Sequence, residues 1–95
     1  MDTDQLLEMG ERGIHLLFDR QAISEAFGQD ANRLQEAVSG RFAEIDFAIR
    51  SLLSLSDAEQ ARRFIRSLAP AIRHVLVLLY FELLDGRLRR SRLLH

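Results

Sequence analysis

Residues Val75–Arg90 read VLVLLYFELLDGRLRR, the most apolar run of the chain followed by its most basic segment. Nine of the first ten of these residues are apolar, with Glu82 as the single charge among them. Ten residues form about 15 Å of helix, half the thickness of a bilayer core of about 30 Å. The run therefore predicts a helix buried in protein, and no membrane span.

This helix extends upstream to a clear start signal. Ser56 and Glu59 have the spacing of a capping box, in which each side chain accepts a hydrogen bond from the other's backbone amide. Gly86 occupies a typical C-cap position. We therefore predict a helix over about 57–85. Pro70 removes one helix hydrogen bond and clashes one turn back, so the helix should be kinked or broken near it.

The last turns of this helix are apolar on every side. Upstream of His74 the apolar residues keep to one stripe, but further along they also fill the opposite face, at Val77, Leu78, Phe81 and Leu84. A helix that is apolar all round is covered on all sides. We therefore expect this face to contact a partner. Glu82 lies at the edge of the main stripe, and a carboxylate there predicts a buried ion pair with an Arg.

Two further helices precede it, over about 3–27 and 31–55. Asp2 or Thr3 and then Asp30 are the expected N-caps, because short oxygen-bearing side chains accept hydrogen bonds from the first turn. Gly10 and Gly13 weaken the first helix, so a break there, with a second helix from Ile14, is the alternative.

In the second helix Phe47 projects opposite the apolar stripe. An aromatic residue on that face suggests a second contact, and Phe47 joins the predicted partner surface.

The sequence thus predicts an all-α protein of three long helices, with residues 1–95 in a single domain and residues 86–95 as a short basic tail. The second helix alone would be about 36 Å long. The expected radius of gyration of 95 residues is only about 13 Å. Long helices with surplus apolar faces favour a bundle completed by homodimerisation, or by another protein.

Charge divides the chain into two halves. Residues 1–60 hold twelve acids against five Arg, a net charge of −7, and residues 61–95 hold two acids against eight Arg, a net charge of +6. The acidic half can pair with the basic half, within one chain or between two. Alternatively the basic half contacts an anion or nucleic acid, through Arg62, Arg66, Arg73, Arg87, Arg89 and Arg90.

No motif indicates a catalytic group, a cofactor or a metal. The chain has no Cys, which excludes disulfides and thiolate metal sites. The helical chorismate mutases have this size and architecture, and a small dimeric enzyme of that kind is a third alternative. They use a Lys, however, which this chain lacks, and no motif aligns.

The main expectation is therefore a small cytoplasmic protein–protein interaction module without catalysis, serving as a regulatory, adaptor or assembly subunit. A nucleic-acid-binding regulator that uses the Arg-rich C-terminal part is the second alternative.

Overall fold

The computed structural model describes residues 2–93, and the side chains of residues 2–90. Over this part of the chain the protein is all-helical, as predicted, but it has six helices rather than three long ones. They are α1 Thr3–Glu11, α2 Arg20–Phe27, α3 Ala31–Val38, α4 Phe42–Ser54, α5 Ala58–Ser67 and α6 Pro70–Leu93. Each predicted long helix is broken once, and each break has a local physical cause.

The first predicted helix, 3–27, ends early, at Glu11, and Gly13 lies in the turn that follows. Asp2 caps its start, as expected, by accepting the amide of Asp4 at 3.0 Å. At the other end Gly13 takes a positive φ of 83°, and the amide of Ile14 donates to the carbonyl of Met9. This backbone pattern terminates a helix and favours Gly, since a Cβ would be strained there. The alternative break is therefore confirmed, although the next helix begins at Arg20, not at Ile14.

The second predicted helix, 31–55, breaks at Gly40. Asp30 is its N-cap, as predicted, and accepts the amides of Asn32 and Arg33. Gly40 then adopts a φ of 77°, and the amide of Arg41 donates to the carbonyl of Val38 at 2.9 Å. The helical periodicity continues across this turn, so the apolar pattern alone did not reveal it.

The third predicted helix is broken at Pro70, as expected. Pro70 is the first residue of α6, a position where its missing N–H leaves no helix hydrogen bond unmade. The predicted capping box is wrong by one residue. Asp57, and not Ser56, caps α5 by accepting the amide of Glu59 at 3.0 Å.

Gly86 is not a C-cap, because α6 continues through it to Leu93. An ion pair between Asp85 and Arg89, one helical turn apart, spans the glycine. The predicted basic tail is thus largely helical, and its residues 94–95 lie outside the described residues. No positive φ is needed at Gly86, so nothing in the backbone requires a glycine there.

Replacement of Gly86 by Ala should therefore stabilise the protein. We expect a gain of about 0.5–1 kcal/mol in the free energy of unfolding, because Ala is the better helix former and its Cβ meets no atom within 4 Å. The matched variant Gly40→Ala should lose about 1 kcal/mol or more, because the left-handed conformation strains a Cβ. Urea denaturation measures both changes in stability. If Gly86→Ala were destabilised, Gly86 would be a C-cap residue that requires a glycine, as the sequence first indicated.

Helix α6 is the centre of the fold. Its 24 residues span about 36 Å, close to the 40 Å length of the molecule. Helices α1, α2, α3 and α4 all pack against it, and α5 packs against α4. Among the helices described, none combines the length and the apolar character needed to cross a membrane.

The breaks remove one argument for a dimer. With the predicted 36 Å second helix divided into helices of eight and thirteen residues, the chain reaches a radius of gyration of 13.6 Å. Helix length therefore no longer requires a second chain.

Candidate functional site

The outer face of α6, predicted to contact a partner, is covered largely within the chain. Val77 is 1% exposed and Leu84 is 5% exposed. Leu78 and Phe81 are half-buried against the same core. Burial takes Val77 and Leu84 out of the predicted partner surface. The periodicity indicated cover on this face, but it did not indicate that α1, α2 and the segment between them provide that cover.

Aromatic side chains provide part of that cover. The ring of Phe81 lies 5.1 Å from the ring of His15 and 5.4 Å from that of Phe27, measured between centroids. Tyr80 contacts His15 and Phe18 in the same way. The break at Gly13 makes this packing possible, because it lets the chain return across α6 before α2 begins.

Tyr80 is the polar member of this cluster. Its hydroxyl lies 2.8 Å from Nδ1 of His15, within hydrogen-bond distance, and burial raises the pKa of the phenol. Gly10 lies directly against the same hydroxyl: a Cβ at this position would lie 2.4 Å from it. Through these three residues, α1 and the segment that follows it pack closely against α6.

Within the described part of the chain, Glu82 does not form the predicted buried ion pair. Glu82 is exposed on α6, and none of the described Arg side chains lies within ion-pair distance of it. The neighbouring acid Asp85 pairs with Arg89 instead. The sequence placed Glu82 at the edge of the apolar stripe, and the packing leaves that edge in solvent.

Phe47 is exposed, as predicted, with 67% of its surface accessible. It is not continuous with the other predicted partner residues, since it lies on α4 and turned by more than 90° from the buried Ala48 and Leu52. The predicted surface is therefore divided, and Phe47 stands apart from α6.

An apolar groove lies elsewhere, between α1, α4 and α6. Its volume is about 280 Å³, and it is lined almost entirely by leucine, isoleucine and aromatic side chains. Leu6 and Leu7 form the α1 wall, Ile49 and Leu52 belong to the α4 wall, and α6 contributes a row that ends at Leu83. Such a groove offers shape and apolar surface but few polar groups, which is typical of a docking surface rather than of a reaction centre.

Two leucines at the groove remain substantially accessible: Leu83 is 56% exposed and Leu53 is 42% exposed. Both lie on the apolar faces that helical periodicity assigns to a core, so the sequence did not distinguish this surface from a buried one. Periodicity gives no indication of which apolar residues will be left uncovered.

The six predicted anion-contact arginines form two separate groups. Arg62, Arg66 and Arg73 line one cleft beside α2. At the end of α6, Arg87 pairs with Asp4 at 3.5 Å and with Glu11 at 2.9 Å.

Of the other two arginines at that end, Arg89 pairs with Asp85, whereas the exposed Arg90 has no ion pair among the described side chains. At this end of α6, two of the three arginines assigned to an anion or nucleic-acid contact are thus paired with acids of the same chain.

Within residues 2–93, no cluster of three or more His, Asp or Glu side chains is arranged to hold a metal ion. The cleft lined by Arg62, Arg66 and Arg73 does not include Glu82 among its lining residues.

Comparison of the chain with protein-family models, curated proteins and solved structures finds no significant match. The geometry of the chain is therefore the basis for the functional inference.

Proposed function

We propose that the chain is a non-catalytic protein–protein interaction module that works as a homodimer paired through the apolar groove. The observation that supports this most directly is the groove itself, with Leu83 standing more than half exposed at its edge. Exposed apolar area of this kind is unfavourable in water and is removed by association.

The amount of exposed surface favours a second copy. The chain exposes 6725 Å², whereas a folded monomer of 10.9 kDa should expose about 5,600 Å². The surplus of about 1,100 Å² is similar to the 800 Å² or so that each partner contributes to a standard interface. One copy of the same chain would therefore be large enough to cover the excess.

The charge distribution also favours self-association. Of the seven described arginines in the basic half, only Arg87 pairs with an acid of residues 1–60. Among the described side chains, the acidic half keeps carboxylates outside any ion pair, at Glu25, Glu36 and Glu59. A second chain with the same unpaired excess of Arg is complementary to them, and such complementarity orients association.

A two-fold arrangement would use Leu83 twice. In an isologous interface the same patch serves both protomers. Leu83 of each copy would enter the groove of the other, where leucine side chains from three helices surround it. The groove and its protruding leucine are then parts of one self-complementary surface.

The test is the oligomeric state of a Leu83→Ser variant, measured by light scattering across a range of concentrations. The substitution removes about 1.5 kcal/mol of association free energy from apolar burial in each protomer. Both protomers of the two-fold dimer carry it, so the total loss is twice this value. We therefore expect the dissociation constant of the dimer to rise by about 100-fold. Leu88→Ser is the matched control, since Leu88 is 37% exposed on the same helix and does not line the groove.

A wild-type chain that stays monomeric at all accessible concentrations would overturn the homodimer. Equal weakening by Leu83→Ser and Leu88→Ser would overturn the groove as its interface. If the monomeric chain instead binds another protein, and Leu83→Ser abolishes that binding, the groove keeps its role with a different occupant.

A further inference from the structure

A second cleft lies on another side of α6, between that helix, α2 and α5. It has a volume of about 80 Å³. Its floor is apolar and buried and includes Leu17, Ile65 and Val77, while polar side chains form its edges. The cleft is several times larger than the space that one water needs and much smaller than a pocket for a drug-sized ligand. It therefore fits a single polar group of a few heavy atoms.

Three arginines and a histidine surround the opening. Arg62 and Arg66 come from successive turns of α5, and Arg73 and His74 come from the first turns of α6. The chain breaks at Pro70, and residues from both sides of this break line the cleft. The sequence grouped the three arginines in one predicted helix, but it did not reveal the cleft that they line.

Most of the hydrogen-bonding capacity of these arginines is unused. A guanidinium carries five N–H donors. Arg62 donates one to the carbonyl of Leu16 at 3.1 Å. The guanidinium groups of Arg66 and of the half-buried Arg73 make no hydrogen bond or ion pair with any described residue. Elsewhere Arg12, Arg41, Arg50, Arg87 and Arg89 all pair with carboxylates.

Two acids, Asp19 and Glu25, also line the cleft, yet neither lies within ion-pair distance of these arginines. Asp19 accepts the amide of Ala22 at 2.7 Å as the N-cap of α2. Glu25 accepts from the side chain of Gln21 at 3.1 Å. Both carboxylates are thus engaged on their own helix. The formal charge around the opening remains positive, and its guanidinium donors remain available.

We propose that this cleft binds a phosphate group, either as free inorganic phosphate or as a phosphate monoester. Guanidinium groups match the oxygens of phosphate with paired, charge-assisted hydrogen bonds. A dianion with oxygens on several sides can engage arginines from α5 and α6 at once. The buried apolar floor excludes a longer substituent, so the rest of a larger ligand remains outside the opening.

The test is a titration of the full chain with inorganic phosphate at constant ionic strength, followed by NMR shifts of the backbone amides around Arg66 and Arg73. Phosphoserine is titrated in parallel, and acetate and chloride serve as control anions. We expect saturable shifts with inorganic phosphate below about 10 mM, and weaker or no saturation with the monovalent anions.

The Arg73→Gln and Arg66→Gln variants should each weaken phosphate binding by about tenfold, because each loses a charge-assisted hydrogen bond. The matched control is Arg33→Gln, which removes an exposed Arg of α3 that does not line the cleft. Arg66 is itself exposed, so its variant keeps the test valid if replacement of the half-buried Arg73 disturbs folding.

Tighter binding of phosphoserine identifies a phosphorylated ligand, and tighter binding of inorganic phosphate identifies the free ion; both support the proposal. It is overturned by the absence of saturable binding, by equal responses to phosphate and chloride, or by an equal loss in Arg33→Gln. None of these outcomes depends on the apolar groove, which lies on another side of α6.

Discussion

A Leu84→Ala variant should lose about 2–4 kcal/mol of the free energy of unfolding. Leu84 is 5% exposed and belongs to the single core of the molecule. Truncation of its side chain to Ala reduces the buried apolar area and leaves a cavity that the surrounding helices cannot fill completely. A 95-residue domain is stable by only about 5–14 kcal/mol, so this one substitution should remove a large share of its stability.

The comparison with Leu88→Ala isolates the role of packing. Leu88 lies one turn further along α6 and is much more exposed, so its loss should stay below about 1 kcal/mol. Urea denaturation at several protein concentrations measures both. The loss in Leu84→Ala should not depend on concentration, because its cover comes from the same chain. If the loss of stability disappears in dilute solution, Leu84 is covered by a partner chain and not by its own.

A Gly10→Ala variant should lose about 1–3 kcal/mol, although Ala is the better helix former. The added Cβ would lie 2.4 Å from the hydroxyl oxygen of Tyr80 and 3.2 Å from a methyl carbon of Leu84. The hydroxyl also lies within hydrogen-bond distance of His15, so its displacement costs that interaction too. Overpacking in a close-packed core has a cost of this size.

A double-mutant cycle with Tyr80→Phe tests this explanation. Removing the hydroxyl removes the closest clash, so Gly10→Ala should cost clearly less in the Tyr80→Phe background than in the wild type. Tyr80 is the only tyrosine of the chain, and its absorbance gives a second readout. Burial raises the pKa of Tyr80 in the wild type, and in Gly10→Ala the displaced ring should titrate closer to its ordinary value near 10. An unchanged titration together with additive energies would contradict the contact.

The charges of the chain show how local and tertiary information differ. The uneven division of acids and arginines is visible in the sequence, and the pairing of Arg87 with Asp4 and Glu11 is one of its predicted consequences. The sequence grouped Arg62, Arg66 and Arg73 in one predicted helix, but the cleft that they line was not predictable. It depends on the direction in which α6 leaves Pro70 after α5 ends.

What the sequence determined by itself is local. Helix content, the caps at Asp2 and Asp30 and the break at Pro70 all follow from interactions within a few residues, and the structure confirms them. The breaks at Gly13 and Gly40 are less visible. At each of these positions the backbone can either turn through a glycine with positive φ or continue the helix. The two conformations differ in free energy by only about 1 kcal/mol, so the surrounding packing determines which one forms.

The tertiary structure alone decided which apolar faces are covered. A helical projection shows that the face of α6 with Val77 and Leu84 needs cover, but it contains no information on the origin of that cover. Once α1, α2 and the segment between them pack there, the groove beside Leu83 is left accessible instead. The physical reason is that burial depends on neighbours distant in sequence, whereas periodicity depends only on residues along the same helix.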